Sequence, residues 1–205
     1  MVFLQGLLLG LCVAAPVGPI GVLCIQRTLR SGKLSGFVSG LGAATADGLY
    51  GAVAAFGLVF ISNMLIEQLF VLRLVGGTFL FYIGLRSFLS RATLADAEVS
   101  PTKGRLVADY VSTVFLTITN PMTILSFAAL FAGIGFGFSE GKSFFSASLL
   151  TLGVFFGSAL WWLVLSIGVG WLKSRIPHFS ILTVNKISGF VIMSFAAYIL
   201  WGMFV

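Results

Sequence analysis

Residues 37–61 read FVSGLGAATADGLYGAVAAFGLVFI, an uncharged run interrupted by one carboxylate, Asp47. Its length suits a bilayer span, which takes about 20 residues. Asp47 lies ten residues from one end and fourteen from the other, so a rise of about 1.5 Å per residue puts it near the midplane. With about 100° per residue, Gly40, Ala43, Ala44, Tyr50, Gly51 and Ala54 share its face. Small residues let a second helix come close, so the carboxylate is expected to face a helix bundle rather than lipid.

Working outward, the whole chain has the same character. Of its 205 residues, 59% are hydrophobic and 9% charged, with a mean hydropathy of +1.10. A soluble domain carries about 25% charged residues, so a soluble catalytic domain, a disordered tail and a nucleic-acid-binding module are excluded. Charge-poor stretches run from Phe3 to Ile25, Phe37 to Ile61, Phe70 to Phe88, Tyr110 to Phe138, Phe144 to Leu172 and Ile187 to Phe204. These are too long, and lack the alternation, for barrel strands. The expected fold class is all-α integral membrane, with six transmembrane helices. Arg73 and Arg86 lie inside the ends of the third span, where long arginine stems can snorkel to the interface. A cleaved leader is the competing reading of the N-terminus, but it lacks a basic leading region and Pro16 follows the supposed cleavage site.

Ten of the twelve Lys and Arg residues fall in the loops after the first, third and fifth spans or on their flanks. The positive-inside rule puts these in the cytoplasm and both termini outside, which for a bacterial inner membrane is the periplasm. The net charge of +6 then reflects loops bordering an anionic leaflet rather than a nucleic-acid partner.

The polar stretch around residues 91–106 divides the chain into 1–90 and 107–205, three spans each. The halves echo one another. At an offset of 111, Leu41-Gly42 and Asp47-Gly48-Leu49-Tyr50 fall opposite Leu152-Gly153 and Ser158-Ala159-Leu160-Trp161, and Gly57 falls opposite Gly168. At 105, Ala15-Pro16 falls opposite Asn120-Pro121; at 113, Arg73 and Gly76 fall opposite Lys186 and Gly189. An odd number of spans per half makes the copies enter from opposite sides, so two inverted three-helix repeats are expected, an architecture of many secondary transporters. Chance likeness of Gly-rich apolar helices is the alternative.

Prolines interrupt both copies. Pro16 and Pro19 remove the amide donors for the carbonyls of Cys12 and Ala15, with Gly18 between them, and Pro121 removes that for Thr117, beside Thr119 and Asn120. Irregular backbone at membrane depth is tolerated only where protein or a cavity surrounds it. Paired breaks at equivalent positions point to a substrate site of Pro16, Gly18, Pro19, Thr119, Asn120 and Pro121, where half-helix ends can hold charged groups; ordinary proline kinks are the alternative. Asp47 is the candidate for proton or cation coupling, since a buried acid costs on the order of several kcal/mol unless paired, protonated or hydrated. The alternative is an acid that accepts hydrogen bonds from Tyr50 or Thr45 and holds the bundle together. Tyr50, Ser158 and Trp161 complete the candidate set, the pair Trp161 and Trp162 serving either to wall a cavity or cover an amine, or simply as packing.

No nucleophile with a spaced base and no phosphate loop is present, so enzymatic chemistry and ATP-driven pumping by this chain are not expected. Cys12 and Cys24 are twelve residues apart on one span, about 18 Å along a helix, too far for a disulfide. His178 beside Pro177 reads as a solvated loop residue; no metal site and no cofactor are expected.

Taken in order, Gly18-Pro19, the run Gly36, Gly40, Gly42 and Asp47, then Gly76 with Tyr82-Ile83-Gly84, and Asn120-Pro121 resemble the lysine-exporter family of small bacterial inner-membrane proteins, the LysE or RhtB type. The resemblance spans the chain and implies a six-helix, ion-gradient-driven exporter of amino acids or similar small solutes that forms homodimers. Val17 stands where the family usually has proline, and Met122 follows Asn120-Pro121 where lysine is frequent. The sequence thus reads as a secondary active, alternating-access exporter. A divalent metal cation exporter would need several oxygen ligands, of which Asp47, Asn120 and Thr119 could supply three; a non-transporting membrane assembly subunit is the remaining reading.

Overall fold

The computed structural model describes residues 1–16, 18–56, 67–89, 102–134, 144–175 and 181–203. Gly57, most of the 91–106 linker and His178, all named above, lie outside them. The described residues form eight helices and no strand: α1 Val2–Ala14, α2 Pro19–Ser31, α3 Lys33–Ala55, α4 Leu69–Phe88, α5 Lys103–Ile118, α6 Pro121–Ile134, α7 Phe144–Arg175 and α8 Ile181–Trp201.

The prolines act where the chemistry says they must. Pro19 opens α2 at the first helical position, where its missing N–H costs nothing, and α1 and α2 meet at 81°. The second break bends α5 against α6 by 61°. Three of the described helices are long and apolar enough to cross a membrane, five if each bent pair is one span. The glycine- and alanine-rich α3, carrying Asp47, is packed among them.

The expected loop after the first span is a helical hairpin, because α2 runs through Arg27 and Arg30 and Gly32 alone separates it from α3. Gly32 has φ +94, a left-handed conformation that glycine adopts without Cβ strain, and its N–H bonds the Thr28 carbonyl at 3.0 Å. Likewise α5 begins at Lys103, so Arg105 and Asp109 are helical.

Helix pairing rests on glycines. A Cβ on Gly6, Gly10, Gly153 or Gly157 would run into the carbonyls of Leu150, Val154, Phe3 and Leu7 respectively, so α1 and α7 lie parallel, backbone against backbone. With no hydrophobic drive between helices in lipid, such close packing is what holds them. The α3–α5 pair is also parallel, with Gly42 against the Tyr110 carbonyl and Thr45 hydrogen-bonded to Tyr110 Oη at 2.8 Å. The α3–α7 pair is antiparallel, with Gly40 against Trp162 and Gly51 against Val154, and so is α4–α8, with Gly84 against Met193 and Gly77 against Leu200. Ile20, Leu23, Leu80, Leu116, Ile192 and Ile199 form the apolar centre.

Candidate functional site

Where the two breaks meet Asp47, the bundle holds a central, partly open cavity of about 230 Å³. Below the ~300–1,000 Å³ of drug-sized sites, it fits a small solute. Pro16, Gly18 and Pro19 line it from the first break, Asn120 from the second, and Asp47 and Ala43 from α3. The α2 and α6 N-termini both border it, through Pro19, Ile20 and Gly21 and through Met122, Thr123 and Ser126. At α6 the first-turn amides are already bonded, Met122 to Asn120 Oδ1 and Thr123 to the Asn120 carbonyl, so what the two helix starts offer an anionic group is their partial positive charge. Asp47 is the only acid among the described lining residues, and none of them is basic.

The carboxyl of Asp47 is buried at 3% exposure and has a specific partner. Ser158 Oγ donates to Asp47 Oδ2 at 2.7 Å, and Trp162 Nε1 donates to Ser158 Oγ at 3.0 Å. Neither Tyr50 nor Thr45 fills that role. Tyr50 Oη instead donates to the Ile118 carbonyl at 2.5 Å, an acceptor exposed by the second break because Met122 N–H bonds Asn120 Oδ1 at 3.2 Å. The Thr117 carbonyl, left without Pro121 as donor, takes the Asn120 N–H at 3.2 Å. The break is thus stitched by side chains and its own backbone, as membrane burial requires.

The remaining candidates sit beside the cavity rather than on it. Thr119 turns back to the Phe115 carbonyl at 2.8 Å and lies against Gly76 of α4. Pro121 shares a separate small crevice with Thr119. Trp161 is partly buried against the apolar centre, and Trp162, itself part of that centre, also lines the cavity. Thr117, Thr123, Ser126 and Tyr198 also line it. The i, i+3 spacing of Thr123 and Ser126 after Asn120 was a usable signal for them; Tyr198 had none, lying at the far end of the chain.

A second polar centre was not legible in the sequence. Arg27 Nε pairs with Asp109 Oδ1 at 3.3 Å, and its Nη1 and Nη2 donate to Ser39 Oγ at 2.9 Å, Thr113 Oγ1 and Ser112 Oγ at 2.8 Å each and the Asp109 carbonyl at 2.7 Å. Ser35 also donates to Asp109. Next to it, Gln26 bonds Ser87 of α4 and Asn185 of α8. These two neighbouring residues of α2 fasten it to four other helices. Beyond them opens an inner cavity of about 960 Å³, to which Leu23 contributes; Ile20, one turn earlier, lines the central cavity.

No solved structure matches this chain. Among curated proteins it is 25% identical over 198 residues, 96% of this chain and 94% of the relative, to "Putative amino acid efflux protein YcgF" of Bacillus subtilis (strain 168). It is 27% identical over 109 residues, 53% of this chain and 49% of the relative, to "Uncharacterized membrane protein YahN" of Escherichia coli (strain K12). The family model of the LysE type translocator matches residues 11–202. A multi-pass helical membrane protein and a transporter rather than an enzyme, the chain belongs to the LysE type translocator family.

Proposed function

We propose that this protein is a secondary active exporter of amino acids or similar small solutes, working by alternating access and coupled to a proton or cation gradient across the bacterial inner membrane. The observation that carries the reading is the central cavity, with two half-helix N-termini and one buried carboxylate around a space of about 230 Å³. A zwitterion matches that polarity: its carboxylate at the starts of α2 and α6, its ammonium toward Asp47 and Asn120. Exchange of a proton or cation at Asp47 then ties solute release to the gradient. The name of the Bacillus subtilis relative agrees with this substrate class.

The architecture we infer is six spans in two inverted repeats, residues 1–90 and 107–205 joined by a cytoplasmic linker, with both termini periplasmic. Under that symmetry α3 and α7 are equivalent, and equivalents touch only where they cross the two-fold axis. Asp47 and Ser158, opposite one another at the offset of 111, are hydrogen-bonded. Carrying the Gly10–Val154 contact across at offsets 105 and 111 leads to Phe115 and Ala43, one residue from the Gly42–Val114 contact. The thin apolar layer of Ile20 and Leu23 between two cavities suits alternating access, since rocking one repeat against the other need open only about one helical turn.

The test is efflux of a labelled amino-acid panel from proteoliposomes under an imposed pH gradient, wild type against Asp47→Asn. Gradient-driven movement of one solute, uncoupled in the variant while it stays folded, is the expected result. If no amino acid moves from tight vesicles, the amino-acid reading fails and divalent cations become the next panel. If the variant remains coupled, Asp47 is structural.

A further inference from the structure

The inner cavity is lined by four arginines and one acid among its described residues. Asp109 is engaged by Arg27 and Ser35, so that pair adds little net charge. Arg86 on α4 and Arg105 on α5 bring two further guanidinium groups from two helices to one space. The basic-loop rule explains positive charge at this end but not its sorting. Of the described basic side chains there, Lys33, Lys103, Lys173 and Lys186 stay off the cavity, and those on it are all arginine. Arginine presents a planar fork that binds carboxylate and phosphate oxygens in pairs, whereas lysine offers a strongly hydrated point charge. The volume, about 960 Å³, is also ample for a ligand.

We propose that this cavity is an oxyanion-binding site, taking the carboxylate of a small solute or the phosphate of an anionic lipid headgroup at Arg86 and Arg105. It rests on the export reading only for the solute as one source: Leu23 and Ile20 put this cavity one helical turn from the central one, so a carboxylate concentrated here stands at the entrance to the transport site.

The test needs no transport. In a Cys12→Ser background, with Cys24 buried, Ala108→Cys puts a thiol on the exposed cavity wall. Its modification by anionic and cationic methanethiosulfonates of matched size is timed in nanodiscs, with and without Arg86→Gln/Arg105→Gln. The expected result is a preference for the anionic reagent of about tenfold, lost in the double variant. Arg86→Lys/Arg105→Lys should keep it, separating charge from misfolding. Slowing by acetate, against chloride at equal ionic strength, in phosphatidylcholine nanodiscs identifies a soluble carboxylate as the ligand. Slowing found only in phosphatidylglycerol nanodiscs identifies the lipid headgroup. No charge preference, a preference indifferent to Arg86 and Arg105, or no slowing by either anion overturns the site. Because the readout is thiol reactivity, a protein that moves no amino acid yet shows protected, arginine-dependent labelling would sink the export reading and leave this one standing.

Discussion

Ser158 donates a 2.7 Å hydrogen bond to Asp47 from a position 111 residues away in the chain. At that offset the serine falls opposite the acid in sequence, and its hydroxyl holds the carboxylate against α7. Trp162 locks the hydroxyl in turn at 3.0 Å. Ser158→Ala should therefore leave Asp47 without its positioning donor. In a double-mutant cycle with Asp47→Asn, measured by unfolding in detergent, the coupling should come to about 0.6–1.7 kcal/mol, the range of hydrogen bonds between membrane helices. Strict additivity would mean the two side chains do not interact.

Removing one partner of the Arg27–Asp109 pair leaves the other buried and uncompensated. Asp109→Asn should destabilise the protein by about 3–5 kcal/mol, with Arg27→Gln/Asp109→Asn recovering part of that. Arg27→Lys should behave as a loss rather than a conservative change, since one ammonium cannot span Ser39, Ser112, Thr113 and Asp109 together. Thermal unfolding in detergent checks both points.

Gly18 and Gly10 make a contrasting pair. Gly18 has φ −100 and open space around its missing Cβ, whereas a Cβ on Gly10 would strike the Val154 carbonyl. Gly10→Val should cost about 1–3 kcal/mol by forcing α1 off α7 and reduce the yield of folded protein. Gly18→Ala should leave the melting temperature unchanged but, because Gly18 lines the central cavity, raise KM for the exported solute.

Tyr50→Phe tests whether Tyr50 recognises substrate or closes the break. Its hydroxyl is committed to the Ile118 carbonyl, so stability should fall by about 1 kcal/mol while KM changes little. A large rise in KM with unchanged stability would return Tyr50 to the binding site.

Much of this was legible in the chain because it is local or periodic. A proline removes a particular amide wherever it stands, so the breaks at Pro16, Pro19 and Pro121 followed from covalent structure, and the small residues on its helix face marked Asp47 as turned toward other helices, where it is buried. The offset of 111 also set Asp47 opposite Ser158, the residue it meets in the fold.

Tertiary structure alone decided the rest. Trp161 and Trp162 are adjacent in sequence, and only the packing of α7 against α3 buries Trp162 in the apolar centre at the cavity wall and leaves Trp161 partly buried at the edge of that centre. Tyr50 shares a helix face with Asp47, yet the proximity of α5 draws its hydroxyl to Ile118. Arg27 and Asp109 read as flanking charges because charge alone marks a residue as outside the bilayer. Their burial depends on α2 and α5, 82 residues apart at the Arg27 contact, meeting at one end of the bundle. Depth and helix interruption are properties of a segment and can be read from it; facing and partnership are properties of pairs of helices and exist only once they pack.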